Sequence, residues 1–535
     1  MQFPRFLLAT ALLVGPAAAQ CETAKLKPPR YQGFLTLFGS YVDVDGDTAV
    51  VGGTTPNGIR AAFLFERRGF GWSLDDVVLI PAPGFLSARD TPVAISGDTV
   101  LLGHFERYAE AGAAYVVERA AGYWSETQEL RPGTPIADSH FGRRLALDGE
   151  RAVIAAPMDE HFAYRGGAVF VFERTARGRW IERARLDPPE PRTLGFYGLS
   201  VALEGDLLAV GEPGYPVSPT ATGRLHVYRH GATGWTLEER IEEYGIGFAY
   251  AVSVDRGHIA VGAFRDGGHA GAHEGSVRLY EHLGSWTQVD ELRSTHPDGD
   301  DHFGAAVELE GDRLAVGSGA SELGFGERVH IYERSAGEWV LRSVLAPHDD
   351  VGGSWYGPVF GCSLAIDGDD FWVGSPADTE FGGADMGGAA YVHTFEDLSS
   401  RTCDPAHPNS TGLPGELDSR GCATLARNDL VLRASQLPPQ QVAAFLVSRS
   451  ADFVPFAGGG QGDLCLGGPI GRYSPPASSG ALGSVDLDVD LEALPVPGGT
   501  YAAVAGQTWF FQCWYRDANP GPTSNLTNGL AASVR

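Results

Sequence analysis

From residue 23 to residue 402 the apolar residues fall into short alternating runs, four to a unit, punctuated by glycine–acid turns. The first run of a unit, such as Ser200 to Leu203 or Ala306 to Leu309, ends at such a turn, and a second run, Leu207 to Gly211 or Leu314 to Gly317, follows at once. Alternation broken by a two-residue Gly/Asp loop predicts a β-hairpin. After a longer polar stretch comes a third run with an aromatic tail, as in Ala62-Phe63-Leu64-Phe65, Ala114-Tyr115-Val116-Val117, Val169-Phe170-Val171-Phe172 and Val329-His330-Ile331-Tyr332. A Glu/Arg-rich turn then leads to a tryptophan that opens the fourth run, which often ends near proline, as at Pro81, Pro188 and Pro347.

The turn recurs at Gly46-Asp47, Gly97-Asp98, Gly149-Glu150, Gly205-Asp206, Gly257-His258, Gly311-Asp312 and Gly368-Asp369, in steps of 51, 52, 56, 52, 54 and 57 residues. Trp72, Trp124, Trp180, Trp235, Trp286 and Trp339 keep the same beat. Two independent markers with one period predict seven copies of one structural unit. A lone four-stranded unit leaves both faces wet, whereas radial stacking covers them, so the expected fold is all-β, a seven-bladed β-propeller. The seventh unit ends at Tyr391 to Phe395 without a Trp-led fourth run, and a matching strand, Ala24 to Pro29, stands before the first unit. The N-terminal strand is therefore expected to complete the last blade. This places Cys21 towards Cys362 in that blade and predicts a Cys21–Cys362 disulfide.

Composition narrows the function classes. The 535-residue chain has 67 Asp and Glu against 40 Lys and Arg, a net charge of −27. Its only lysines are Lys25 and Lys27, so it lacks the clustered cations that nucleic acid or an anionic membrane requires. Glycine (72) and proline (34) are abundant, and 43% apolar content assigns them to turns rather than disorder. At the start, Arg5, the apolar run Phe6 to Val14 and Ala17-Ala18-Ala19 form a secretory signal pattern, predicting residues 1–19 as a signal peptide. A lipoprotein reading through Cys21 competes, but Gln20 stands where such sites take a small residue. No later stretch reaches transmembrane length. Export favours disulfides among Cys21, Cys362, Cys403, Cys422, Cys465 and Cys513 over metal ligation.

The strings FGSYVDVDGDTAVVG (38–52), HFGRRLALDGERAVIAAP (140–157), HFGAAVELEGDRLAVGS (302–318) and FGCSLAIDGDDFWVGSP (360–376) resemble the FG-GAP repeat of integrin α-chain propellers and bacterial surface proteins. The resemblance spans residues 20–402 and is clearest in units one, three, six and seven. Unit two has lost Phe-Gly, and units four and five carry Tyr197-Gly198 and Ala249-Tyr250 instead. Kelch repeats share the tyrosine strand and following tryptophan, and also give a propeller. Metal-binding integrin blades insert a D-x-[DN]-x-D-G loop between their first two strands. Here that connection is a tight turn, with Asp43, Asp45 and Asp47 as a remnant and no further ligand before Val50, so no calcium site and no cofactor is expected.

The period stops at Cys403-Asp404-Pro405, and residues 403–535 are expected to form a small β-sandwich. In Val485 to Leu491 the acids Asp486, Asp488 and Asp490 share one face, which suits an edge strand with a wet acidic side or, alternatively, a cation site. The region resembles a C-terminal module of exported proteins from planctomycete- and myxobacteria-like bacteria. Its four cysteines allow three connectivities, and the resemblance implies Cys403–Cys465 and Cys422–Cys513. Asn409-Ser410-Thr411 and Asn525-Leu526-Thr527 are glycosylation sequons.

Catalytic patterns are weak. His269, His273 and Glu274 have ligand-like composition but lie in a Gly-rich loop, and no G-x-S-x-G, H-E-x-x-H or P-loop occurs. The second-to-third and fourth-to-first connections open on one face and are the long ones, which is where rigid scaffolds carry binding residues. That face supplies Asp159, Tyr164, Tyr215, Phe264, Asp266, Asp300, Phe325, Asp349, Trp355, Tyr356 and Asp385 as candidates. Rings beside carboxylates suit sugars or basic protein patches. The expected function is an exported, extracellular or cell-surface adhesion protein that binds a glycan or protein partner. The alternative is a polysaccharide hydrolase or lyase on the same face, and a ligand-free spacer is a third option.

Overall fold

The computed structural model describes residues 21–28, 36–55, 57–68, 71–80, 90–214, 222–244, 247–267, 274–294, 302–320, 325–335, 337–345, 360–376, 387–394, 400–402, 406–420, 430–480, 483–518 and 523–534, with 423, 425 and 428. Two compact units divide the chain, one comprising Thr23–Trp339 and Val344–Thr394, the other centred on Phe395–Arg535.

The larger unit contains seven four-stranded antiparallel sheets. Their first strands are Val42–Asp45, Val93–Ser96, Arg144–Asp148, Ser200–Glu204, Phe248–Asp255, Phe303–Glu310 and Ser363–Asp367. Each pairs with the second strand across the turn read from the sequence. In the first sheet Asp45 faces Thr48, leaving Gly46 and Asp47 as a two-residue loop. Gly46 has φ +60°, which this hairpin geometry demands and a side chain resists. Six sheets follow chain order; in the seventh, strand Cys21–Leu26 pairs with Ala389–Thr394 on its outer side. First strands of successive sheets lie side by side, and Ser363–Asp367 of the seventh also lies against Val42–Asp45 of the first.

Burial follows from this stacking. Second strands such as Thr99–His104 and Leu207–Glu212 are buried throughout, because neighbouring sheets cover both their faces. The fourth strand of the second sheet, Tyr123–Leu130, is an outer strand and buries only Trp124 and Leu130. The Phe-Gly aromatics seat each sheet on the one before. Phe38, Phe141 and Phe303 bridge in parallel to Gly388, Gly112 and Gly275 of the preceding sheets. Their rings pack edge-on against their own third strands, as Phe38 does on Phe63 at 5.0 Å and Phe141 on Phe170 at 5.3 Å. In the fifth sheet this role belongs to Phe248-Ala249, not Ala249-Tyr250. Phe248 is buried and Ala249 takes the positive φ (+61°) that glycine has elsewhere, which corrects the alignment by one residue.

The tryptophans couple outer strands. Trp180 N–H donates to Gln128 Oε1 (3.0 Å) while Gln128 Nε2 donates to Trp180 O (2.7 Å), linking the second and third sheets. Trp286 N–H reaches Glu239 of the fourth sheet at 2.8 Å, and Trp72 Nε1–H reaches Asp370 of the seventh at 2.9 Å.

The expected Cys21–Cys362 disulfide is absent: Cys362 is a free thiol. Cys21 opens the outermost strand of the seventh sheet, whereas Cys362 precedes its innermost one. Three strand spacings of about 4.8 Å separate those strands by about 14 Å, far beyond disulfide reach.

In the smaller unit a seven-stranded sheet containing Val442–Ser448, Thr508–Asp517 and Gly529–Ser533 and a three-stranded sheet containing Glu416–Arg420, Val431–Ser435 and Val485–Asp488 share one core. Strand Ser400–Thr402 pairs with Gly529–Ser533, so it belongs to this larger sheet. Trp509, Phe511, Cys513 and Tyr515 alternate inward into the core. Cys513 is a free, buried thiol, which removes the expected Cys422–Cys513 bond. Cys465 is disulfide-bonded to a cysteine whose side chain lies outside the described ones, as those of Cys403 and Cys422 do. Val485–Asp488 is an edge strand with Asp486 and Asp488 exposed, as alternation predicts.

Candidate functional site

The first strands of all seven sheets line one cavity of about 330 Å³. An innermost strand has no ladder partner on its free edge, so half of its backbone amides need another acceptor. At the tight-turn end the chain supplies one per sheet, from the residue that closes each first strand. The amide of Gly97 donates to Asp45, Gly149 to Ser96, Gly205 to Asp148, Arg256 to Glu204, Gly311 to Asp255 and Gly368 to Glu310, at 2.5 to 3.1 Å. The seventh step returns to the first sheet, where Gly46 N–H donates to Asp367. Six of these seven acceptors are carboxylates, so the hydrogen bonds that couple the sheets also gather acid at the tight-turn ends of the first strands.

Two residues further in, the equivalent positions are Asp43, Ala94, Ala146, Ala202, Ser253, Glu308 and Ala365. Three consecutive alanines open space opposite the polar side chains. Asp43 accepts from Ile95 N at 2.8 Å and from Val44 N at 2.9 Å. Burial nevertheless pushes its carboxyl up to about 7, with Asp45 and Asp367 adding repulsion. Glu308 is held well above the usual carboxylate range by burial and by Asp43, Glu310 and Asp255, although Ser253 hydrogen-bonds to it. Ser253 Oγ also accepts from Leu309 N at 3.1 Å. Nearer the long loops, Arg144 donates to the Tyr41 hydroxyl and Arg143 lies 3.5 Å from Asp90.

The long-loop candidates have separate fates. Asp159 is buried and pairs with Arg185 at 2.9 Å, also capping His161 N at 2.9 Å. Asp266 accepts from Ser276 (2.8 Å) and Arg278 (2.9 Å) and lies 3.2 Å from Arg293. Both carboxylates hold the bases of their loops and are not displayed to a ligand. Phe264 is buried, its ring 4.2 Å from that of Tyr250. Tyr164 is exposed, together with Phe162 on the same loop, and the loop is anchored where Leu194 N donates to Tyr164 O at 2.8 Å. Tyr215, Asp300, Asp349, Trp355, Tyr356 and Asp385 lie outside the described residues, as do His269, His273 and the side chain of Phe325.

Sequence reasoning missed the acid belt, although its signal was present: an acid or serine ends every first strand, one residue before the turn glycine in six sheets and two before it in the fifth. Asp43 and Asp45, taken as a metal-loop remnant, each hold an amide of the next sheet. Phe162 was also missed.

A family model described as FG-GAP repeat matches residues 124–172, from the Trp that follows the second sheet's third strand to the aromatic tail of the third sheet. The match and the run of four-stranded sheets support an FG-GAP-type β-propeller. No curated protein matches the chain. Among the described residues no helix is long and apolar enough to cross a membrane.

Proposed function

We propose that the seven sheets are the blades of one closed propeller, completed by the N-terminal strand, and that the chain is an exported binding protein. In this reading it acts in adhesion or capture at the cell surface and recognises a glycan or protein through its long-loop face. The FG-GAP match and the return of the inter-sheet hydrogen bonds from Asp367 to Gly46 favour closure. The observation that carries the binding assignment is the exposed pair Phe162 and Tyr164, at 59% and 52% exposure, on a loop pinned by the ion pair of buried Asp159 with half-buried Arg185. Exposed rings on a pre-set loop bind at little ordering cost. A glycan array and a surface-protein pull-down test this. The Phe162→Ala/Tyr164→Ala double variant loses at least tenfold in affinity; unchanged binding refutes the assignment.

A polysaccharide hydrolase or lyase is the second reading, favoured by two carboxylates of raised pKa beside one cavity, Asp43 and Glu308. Both oxygens of Asp43 already accept backbone amides, which leaves it poorly placed to serve a substrate. Oligosaccharide released over time would favour this reading over capture.

A further inference from the structure

The cavity among the first strands carries polar groups at two levels. Towards the long loops it is lined by Tyr41, Asp90, Arg143 and Arg144, at the entries of the first three sheets. Two residues further along the strands come Asp43, Ser253 and Glu308, with the alanines of the second to fourth sheets leaving the space between them. Among the described residues none of the acids that cap the turn glycines lines it, so the cavity lies towards the long-loop end. We propose that this cavity binds a single sugar acid, with the ligand carboxylate on Arg144 and its hydroxyls on Glu308 and Ser253. The site is separate from the Phe162–Tyr164 loop and goes beyond the capture reading, resting only on the closed ring proposed above.

Size sets the first limit. A volume of about 330 Å³ stands at the lower end of ligand pockets, which run from about 300 to 1,000 Å³, and suits one sugar ring rather than a chain. The cations set the second. Arg143 is occupied on two sides, 3.5 Å from Asp90 and 4.5 Å from the centre of the Phe105 ring. Arg144 is anchored through Nη1, which donates to the Tyr41 hydroxyl and to Arg143 O at 3.1 Å, with its guanidinium 5.5 Å from the centre of the Tyr41 ring. Both anchors are neutral oxygens, and a planar fork held in this way matches a carboxylate.

At the deeper level the acids differ. Asp43 gives one oxygen to the Ile95 amide and the other to the Val44 amide. Glu308 hydrogen-bonds to Ser253, whose Oγ is fixed by Leu309 N at 3.1 Å. A carboxyl group accepts at two oxygens, and the serine beside it both donates and accepts, which matches neighbouring hydroxyls on a ring. The two levels stand about 7 Å apart along the strands. The ligand therefore carries its carboxylate at one end and hydroxyls at the other, as a hexuronate does. A neutral hexose leaves Arg144 unanswered, and a dicarboxylate brings a second anion against Glu308.

Titration calorimetry of the full chain with glucuronate and galacturonate, against glucose and galactose, tests the site. At least one uronate binds one-to-one, and its matched hexose binds at least tenfold more weakly. Arg144→Gln, which keeps a donor for Tyr41, removes that preference, and Glu308→Ala weakens uronate binding at least tenfold. The Phe162→Ala/Tyr164→Ala variant leaves uronate binding unchanged. Equal affinity for uronate and hexose, an unaltered preference in Arg144→Gln, or loss of uronate binding in the Phe162→Ala/Tyr164→Ala variant overturns the site. Where neither uronate binds, amide hydrogen exchange separates the two claims. Protection of Ser363–Asp367 equal to that of Arg144–Asp148 keeps the closed ring and overturns the site alone, whereas absence of protection in Ser363–Asp367 overturns the ring and the site with it.

Discussion

Substituting Gly374 by alanine tests whether the seventh sheet packs on the first. A Cβ built on Gly374 falls 2.1 Å from Gly39 O, 3.2 Å from Gly39 C and 3.3 Å from Ser363 Cβ. A comfortable C···O approach is about 3.3 Å, so one backbone must retreat by about 1 Å. Both are framed by buried side chains, Phe38 and Trp372 among them. Overpacking of this kind costs about 1–3 kcal/mol, and two backbones with no flexible atom between them belong at the upper end, about 3 kcal/mol. For a domain of this size that lowers the thermal midpoint by roughly 5 °C. Gly262→Ala is the internal reference, because its Cβ meets Gly304 O at 2.0 Å across the fifth and sixth sheets. Gly46→Ala is the mild control, with nothing within 4 Å and only its φ of +60° to strain, about 1 kcal/mol. Equilibrium urea unfolding followed by tryptophan fluorescence ranks the three. Loss in Gly262→Ala with none in Gly374→Ala would show that the first and seventh sheets do not touch.

Further outcomes follow from buried groups. Asp159→Ala leaves Arg185 with Asp187 alone, at 2.8 Å, and costs about 2 kcal/mol in the same unfolding assay. It also weakens ligand binding through Phe162 and Tyr164. Asn409 and Asn525 are each only 1% exposed, and their amides donate to Gln436 O at 2.7 Å and His407 O at 3.2 Å. Expression in a glycosylating host therefore leaves both sequons unmodified in the folded protein, as intact-mass measurement would register. Burial raises the thiols of Cys362 and Cys513, so both resist alkylation at neutral pH until the chain is denatured, while Cys465 alkylates only after reduction as well.

The repeat was legible because radial stacking imposes one rule on every unit: a tight turn after the first strand, apolar second and third strands, and a Trp at the start of the fourth. Those positions answer to local geometry and to the nearest neighbour, so they recur at a fixed step. The Phe248-Ala249 pair escaped because alanine there accepts a positive φ that the sequence pattern associates with glycine. Cys21–Cys362 failed on distance across a sheet: belonging to one blade does not bring its outer and inner strands together. Cys513 carried a clearer sign, lying in step with Trp509, Phe511 and Tyr515 on the apolar face of one strand. Asp159 and Asp266 were legible as loop acids but not as loop anchors, since their arginines come from later strands of the same sheets. The capping acids were visible as residues, yet the partners of the first six sheets' caps sit 52 to 58 positions away and that of Asp367 sits 321 away, so only the packing of sheet on sheet reveals them.

Which face binds is the centre of this account, and covalent footprinting decides it. The full chain would be oxidised by hydroxyl radicals alone and with the glycan or protein fraction it retains. Phe162 and Tyr164 are expected to become protected while Tyr123 and Leu283, exposed at the ends of third-to-fourth-strand turns, react as before. Protection of Tyr123 and Leu283 with Phe162 and Tyr164 unchanged would contradict it, and would assign recognition to the acid-ringed, tight-turn face.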